Sequence, residues 1–332
     1  MTVFSLYQQL SRRTRKAIAG VALAGIAGSA AAAYPEKPIM LVVTYPPGGT
    51  VDVVARLIAP KLGEKLGQTV VIDNRGGAGG MIGGAMVARA KPDGYTLMLD
   101  ASNHAQNPAI HSRMQFDTLR DFAPVSLLLR VPNALVVTPS YPVKSVQELI
   151  QKSKAAGDKQ PIYFASAGNG SAQHLAGELF NSLAKTRLEH VAYKGGGPAM
   201  VDVMAGQVPV MFASMGSAWP HIKSGKLRPV AVGGSTRSKA APELPTIAES
   251  GVAGYESYEW NAVFAPAGTP PAILNQVSAA LAEVLKDPAV VKHLEGFGAE
   301  IIGSSPAELD KFRRAEIAKW KKVATEAKLQ LD

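Results

Sequence analysis

Two glycine-rich stretches, each set between an apolar run and a helical pattern, concentrate whatever chemistry this sequence can do. The first is Tyr45-Pro46-Pro47-Gly48-Gly49-Thr50-Val51-Asp52, and the second, about midway along the chain, is Ser166-Ala167-Gly168-Asn169-Gly170-Ser171. Glycine lets a ligand approach the backbone closely, and a helix start aims unpaired N–H groups and the positive end of the helix dipole at one point. The ligand such a point attracts is an anion. Tyr45, Pro47, Gly48 and Gly49 in the first loop, with Ala167, Gly168, Gly170 and Ser171 in the second, are therefore candidate ligand contacts on facing halves of one cleft. Asp52 falls in the first helical turn, where a carboxylate caps N–H groups; against an anionic ligand it would be repulsive, so its role is structural.

Other polar residues end strand-like runs, where α/β proteins place their ligands. Ser102, Asn103 and His104 follow one such run; Ser102 and His104 can donate to a ligand or belong to a solvated loop. Lys194 and Gly195, in Tyr193-Lys194-Gly195-Gly196-Gly197, follow another. Two roles fit Lys194, a contact to a distal ligand carboxylate or an ordinary exposed lysine. His174, three residues beyond Ser171, is placed to pack against the second loop.

Catalytic constellations do not emerge. The chain has no cysteine, no G-x-S-x-G, no H-E-x-x-H and no Walker A lysine, and its six histidines lack metal-ligand spacing. The expectation is a binding protein rather than an enzyme, with no cofactor and no metal.

The elements that must position these loops alternate between strand-like and helical runs, which predicts α/β layers with mostly parallel strands. Strands are expected at 38–44, 69–73 and 95–99, then at 162–165, 190–193, 208–213 and 230–233. Extended segments at 133–138 and 259–265 have the character of crossings between two lobes, with a predominantly helical stretch after the second. Ser145 with Glu148 and Ser305 with Glu308 are spaced as capping boxes. The C-terminal helices are expected to return to the first lobe. The predicted organisation is 34–135 plus 260–332 as lobe 1 and 136–259 as lobe 2.

Residues 1–33 combine a basic head (Arg12, Arg13, Arg15, Lys16), a short apolar run and the small residues Ser29-Ala30-Ala31-Ala32-Ala33, the pattern of a cleaved signal peptide. Its removal takes away four positive charges and no negative ones, lowering the formal charge from +9 to +5. With few aromatics and scattered Lys and Arg, nucleic acid is not an expected partner. The expected form is a soluble periplasmic monomer.

Several stretches in a particular order carry a resemblance. They are Tyr45-Pro46-Pro47-Gly48-Gly49 with Asp52, Asn74-Arg75-Gly76-Gly77-Ala78-Gly79-Gly80, Pro92-Asp93-Gly94-Tyr95-Thr96-Leu97, Gly168-Asn169-Gly170-Ser171 with His174-Leu175, Tyr193 to Ala199, and Gly268-Thr269-Pro270. Nearly end to end after residue 33, the chain resembles the Bug family of periplasmic solute receptors, the binding components of tripartite tricarboxylate transporters. That resemblance implies an α/β Venus-flytrap fold of two lobes, each a mixed β-sheet flanked by helices, closing on a small carboxylate. It also implies permease subunits as partners; a sensor kinase is the alternative partner, and a periplasmic enzyme a weaker third reading. Many relatives carry an aspartate where this chain has Ala213, so Ala213 and the adjacent Ser214 are candidate contacts without a negative charge.

Overall fold

Two long apolar strands form the middle of the molecule. The computed structural model describes residues 34–48, 50–157, 160–296 and 298–331, so the signal-peptide expectation for 1–33 and the candidate contact Gly49 lie outside the described residues. Strand β4 (Phe122–Val137) and strand β9 (Tyr258–Pro266) pair antiparallel from Phe122↔Pro266 to Pro132↔Tyr258. Beyond Pro132, β4 leaves β9, and Asn133–Val137 pairs with β7 (Val210–Ser214). One strand thus belongs to two sheets, and the changeover lies between Pro132 and Asn133.

On one side of that changeover stand β1 (Ile39–Val43), α1 (Thr50–Leu66), β2 (Val70–Asn74), α2 (Met81–Ala88), β3 (Thr96–Ala101) and α3 (Asn103–Ile110). On the other stand α4 (Val146–Ala156), β5 (Ile162–Ser166), α5 (Ala172–Ala184), β6 (Leu188–Ala192), α6 (Gly196–Met204), β7, α7 (Met215–Lys223) and β8 (Arg228–Val232). The strand order is β2-β1-β3-β9-β4-β7-β5-β6, with β8 also on β4. Within each half the pairings β1–β2, β1–β3, β5–β6 and β5–β7 are parallel, as the alternation of strands and helices requires. The shared strands run antiparallel to their neighbours, so the sheets are mixed.

The expected crossing at 133–138 is only the last part of the sixteen-residue β4. Pro124 and Pro132 obscure the earlier part, because proline argues against a central strand. The structure accommodates them with register shifts at Pro124/Ser126 and Leu127/Leu129 and by ending the β4–β9 ladder at Pro132. Residues 103–104, expected in a loop, open helix α3 instead. Its sequence Asn103-His104-Ala105-Gln106-Asn107-Pro108 has no apolar period, which hides it from pattern reading.

After β9 come α8 (Pro271–Val284), α9 (Pro288–Glu295), the short β10 (Glu300–Ile301) on β4, and α10 (Pro306–Glu326). The Ser305–Glu308 capping box is complete at the start of α10. At α4 only half forms: Ser145 accepts from the Glu148 amide, while the Glu148 carboxylate takes the Lys144 amide. Helix α10 does more than return to the first half, since it packs against α3, β4 and α5 and so touches both. Trp260 of β9 and Trp320 of α10, both fully buried, donate their indole N–H groups to Glu316 Oε2 at 3.3 and 3.0 Å. A buried indole needs such an acceptor, and sharing one ties the last helix to the crossing strand.

Candidate ligand-binding cleft

Between the two halves lies a cleft of about 710 Å³, within the range of small-molecule sites. Its back wall comes from the crossing strands: Leu129 and Val131 of β4, Glu259, Trp260 and Asn261 of β9. The rest is helix starts. Thr50 and Val51 open α1, Ser102 and Asn103 open α3, Ala172 and Gln173 open α5, Gly196 and Gly197 open α6, and Ser214 and Ser217 stand at the head of α7. First-turn amides have no acceptor inside their own helix. Five positive helix ends therefore converge on one cleft. Among the described residues, the lining contains no lysine, arginine or histidine.

Of the residues singled out by sequence, Tyr45, Gly48, Ser102, Ala167, Ser171, Gly195 and Ser214 line this cleft. Tyr45 donates to Asn103 Oδ1 at 2.9 Å, and burial, with Asp100 and Glu259 nearby, raises the phenol pKa well above its ordinary value. Ser171 caps α5 by accepting the His174 amide. Pro47 and Lys194 are exposed and off the lining, so Lys194 keeps the bland role of a surface lysine in this conformation. Ala213 is fully buried in β7, one residue short of the cleft-facing Ser214.

His104 does not face the cleft either. It is 1% exposed, stacks on Phe264 with ring centroids 4.0 Å apart, and sets Nδ1 3.1 Å from Asp100 Oδ2. The helical turn at 103–110 rotates it into the core, while its neighbour Asn103 faces the cleft.

The glycine amides differ most from expectation. The Gly48 N–H donates to Asp52 Oδ2, the Gly168 N–H to Ser166 Oγ, the Gly170 N–H to His174 Nδ1 and the Gly195 N–H to the Ala167 carbonyl. These loops use those amides to hold their own shape. Gly168 and Gly170 accordingly do not line the cleft; Gly170 is buried, and both have positive φ, 128° and 71°. The donors left to meet an anion belong to the helix turns just beyond.

Asp52 is the structural cap expected of it. It is 2% exposed and accepts from Gly48, Arg56 and Asn74, with the Arg56 hydrogen bond chiefly holding its pKa down to about 2. Under the second loop, His174 stacks on His190 at 3.7 Å between centroids. Burial lowers His174 to about 3, helped by His190, and burial lowers His190 to about 4, so both rings are neutral. Neutral His174 can accept the Gly170 amide; a protonated ring would repel it.

Sequence reasoning missed Gln173 and Glu259. Gln173 Nε2 donates to Glu259 Oε1, the Ser214 hydroxyl also hydrogen-bonds that carboxylate, and burial raises its pKa. The available signal was a charged residue leading into an otherwise apolar crossing strand. Among the described residues no group of His, Cys, Asp and Glu is arranged to hold a metal, and no helix is long and apolar enough to cross a membrane.

The sequence profile described as "Tripartite tricarboxylate transporter family receptor" matches residues 54–329. BugT of Bordetella pertussis is 38% identical over 314 residues, covering 94% of this chain and 96% of that protein. Among solved structures, an R. palustris protein with adipate superposes with a TM-score of 0.79 at 38% identity, covering 90% of this chain and 100% of that one. MatC from Rhodopseudomonas palustris with bound malate gives 0.76 at 32% identity, covering 87% and 99%.

Proposed function

The chain belongs to the tripartite tricarboxylate transporter receptor family, and from that premise we propose that it captures a small organic carboxylate outside the cytoplasm and delivers it to membrane permease subunits. It is a solute-binding receptor of the two-lobed periplasmic type, not an enzyme. The observation that carries the carboxylate reading is the convergence of five helix N-termini on a cleft that, among the described residues, is lined by no basic side chain. Such a site holds an anion by oriented amides and dipoles, without a fixed counter-charge that would make release slow. The relatives bound to adipate and malate support the same chemistry.

The two halves, changing over in β4 between Pro132 and Asn133, three residues before the expected boundary at 135, act as the two lobes, turning about β4 and β9 to enclose the ligand. The basic head and alanine-rich exit at 1–33 direct the chain to the periplasm. Native mass spectrometry of protein purified from the periplasm, followed by calorimetry with the compound it carries, tests the reading. A bound carboxylate with micromolar or tighter affinity supports it. Failure of a broad panel of organic acids to bind folded protein overturns it. Intact mass on the same sample checks that the chain begins near Tyr34.

A further inference from the structure

Among the described residues, Glu259 is the one acidic side chain on the cleft lining, and no lysine, arginine or histidine stands there to neutralise it. Among the described residues no cation forms an ion pair with it. Its carboxylate is fixed instead by two neutral donors from the second half, Gln173 at the start of α5 and Ser214 at the head of α7. Hydrogen bonds from both favour the ionised form, while burial, the larger influence, raises the carboxyl pKa. On the other wall, the Tyr45 phenol feels Glu259 electrostatically. The cleft is therefore polarised, with positive helix ends around it and an acidic, hydrogen-bond-accepting group on its back wall. A ligand carboxylate suits the helix ends; a second carboxylate brought to Glu259 would set two like charges together in a poorly solvated place. A hydrogen-bond donor there would complete the group's coordination.

We propose that Glu259 is a specificity-determining residue, accepting a hydrogen bond from a donor group on the ligand at the end away from its carboxylate. The cleft then prefers a carboxylate that also carries such a donor, an ammonium group above all, over a plain dicarboxylate of the same length. The inference rests on the carboxylate-receptor reading and narrows it.

The test is calorimetry with matched pairs that share a spacer, 5-aminopentanoate against adipate first, then the corresponding pairs with two to six methylenes. The wild-type protein is expected to bind the amino acid at least tenfold more tightly than the diacid at the best length. Glu259→Gln removes the charge while keeping size and hydrogen-bonding capacity, and is expected to shift that ratio at least tenfold toward the diacid. A thermal melt within a few degrees of wild type shows that the variant is folded. The wild-type comparison needs no variant and stands even if Glu259→Gln does not fold. Tighter wild-type binding of the diacid, or a ratio unchanged in the folded variant, overturns the proposal while leaving the receptor reading intact. If no member of this panel binds while another organic acid does, this proposal falls and the receptor reading stands; if no organic acid binds, both fall.

Discussion

The Gly48 amide donates to the Asp52 carboxylate across 2.9 Å, so the loop that opens the first helix is closed on itself. The same carboxylate takes Arg56 and the Asn74 amide, which in turn reaches the Tyr45 carbonyl. One buried acid thereby sets the shape of the loop that presents Tyr45, Thr50 and Val51 to the cleft.

Removing that acid should cost stability before it costs affinity. Asp52→Ala leaves the Gly48 and Asn74 donors without their charged acceptor and is expected to destabilise the protein by about 2 kcal/mol. Because the folded pKa lies near 2, below the ordinary aspartate value, this contribution is present above pH 4 and fades as the pH falls toward 2. Urea unfolding at pH 7 and again near pH 2.5 checks both statements: the gap between wild type and variant should shrink at the lower pH.

The stacked histidines predict a second acid sensitivity at higher pH. With folded pKa values of about 3 and 4 against an ordinary 6.5, His174 and His190 bind protons more readily in the unfolded chain. Their contribution is complete above pH 6.5 and declines as the pH falls toward 3–4. Melting temperature followed from pH 7 to 4 should drop, and His190→Gln should flatten that slope. An unchanged slope in a folded variant would show that other groups carry the acid sensitivity.

Two glycines separate the roles that a valine scan would otherwise confuse. A Cβ at Gly170, where φ is +71°, would sit 2.6 Å from Ile110 Cδ1 and 2.8 Å from Leu331 Cδ1. Gly170→Val is therefore expected to lower the melting temperature. At Gly196, on the cleft wall, a Cβ meets nothing within 4 Å and φ is not positive. Gly196→Val should melt near wild type yet bind ligand more than tenfold more weakly, about 1.4 kcal/mol or more. Normal binding by this variant would place the anion elsewhere in the cleft.

Asn103 links the halves directly. Its Nδ2 donates to the Gly170 carbonyl at 3.3 Å while its Oδ1 receives the Tyr45 hydroxyl. This bridge exists only when the halves are together, so Asn103→Ala should favour separation. Small-angle scattering is expected to show a larger radius for the ligand-free variant than for ligand-free wild type, and calorimetry an affinity lower by about three- to tenfold, the worth of one hydrogen bond. Equal radii would mean that other contacts hold the halves.

Much of this protein is legible without coordinates wherever local order and tertiary order agree. Apolar runs became β1, β3, β5 and β7, the Ser305–Glu308 spacing became a capping box, and Asp52 became a cap, because each depends on residues a few positions apart. The two glycine loops were visible for the same reason, and the cleft lies between them. What the loops do with their amides was not visible. Whether the Gly170 N–H faces a ligand or His174 depends on where a helix turn puts one imidazole, and sequence spacing is silent on that. His104 reads as a strand-end donor until the unpatterned helix α3 turns it onto Phe264. Glu259 is the converse: 86 residues separate it from Gln173, and only the folding of β9 behind α5 brings them together. Short-range spacing determined the strands, caps and helix starts of this protein; the tertiary structure alone decided which amides stay free and which carboxylate looks into the cleft.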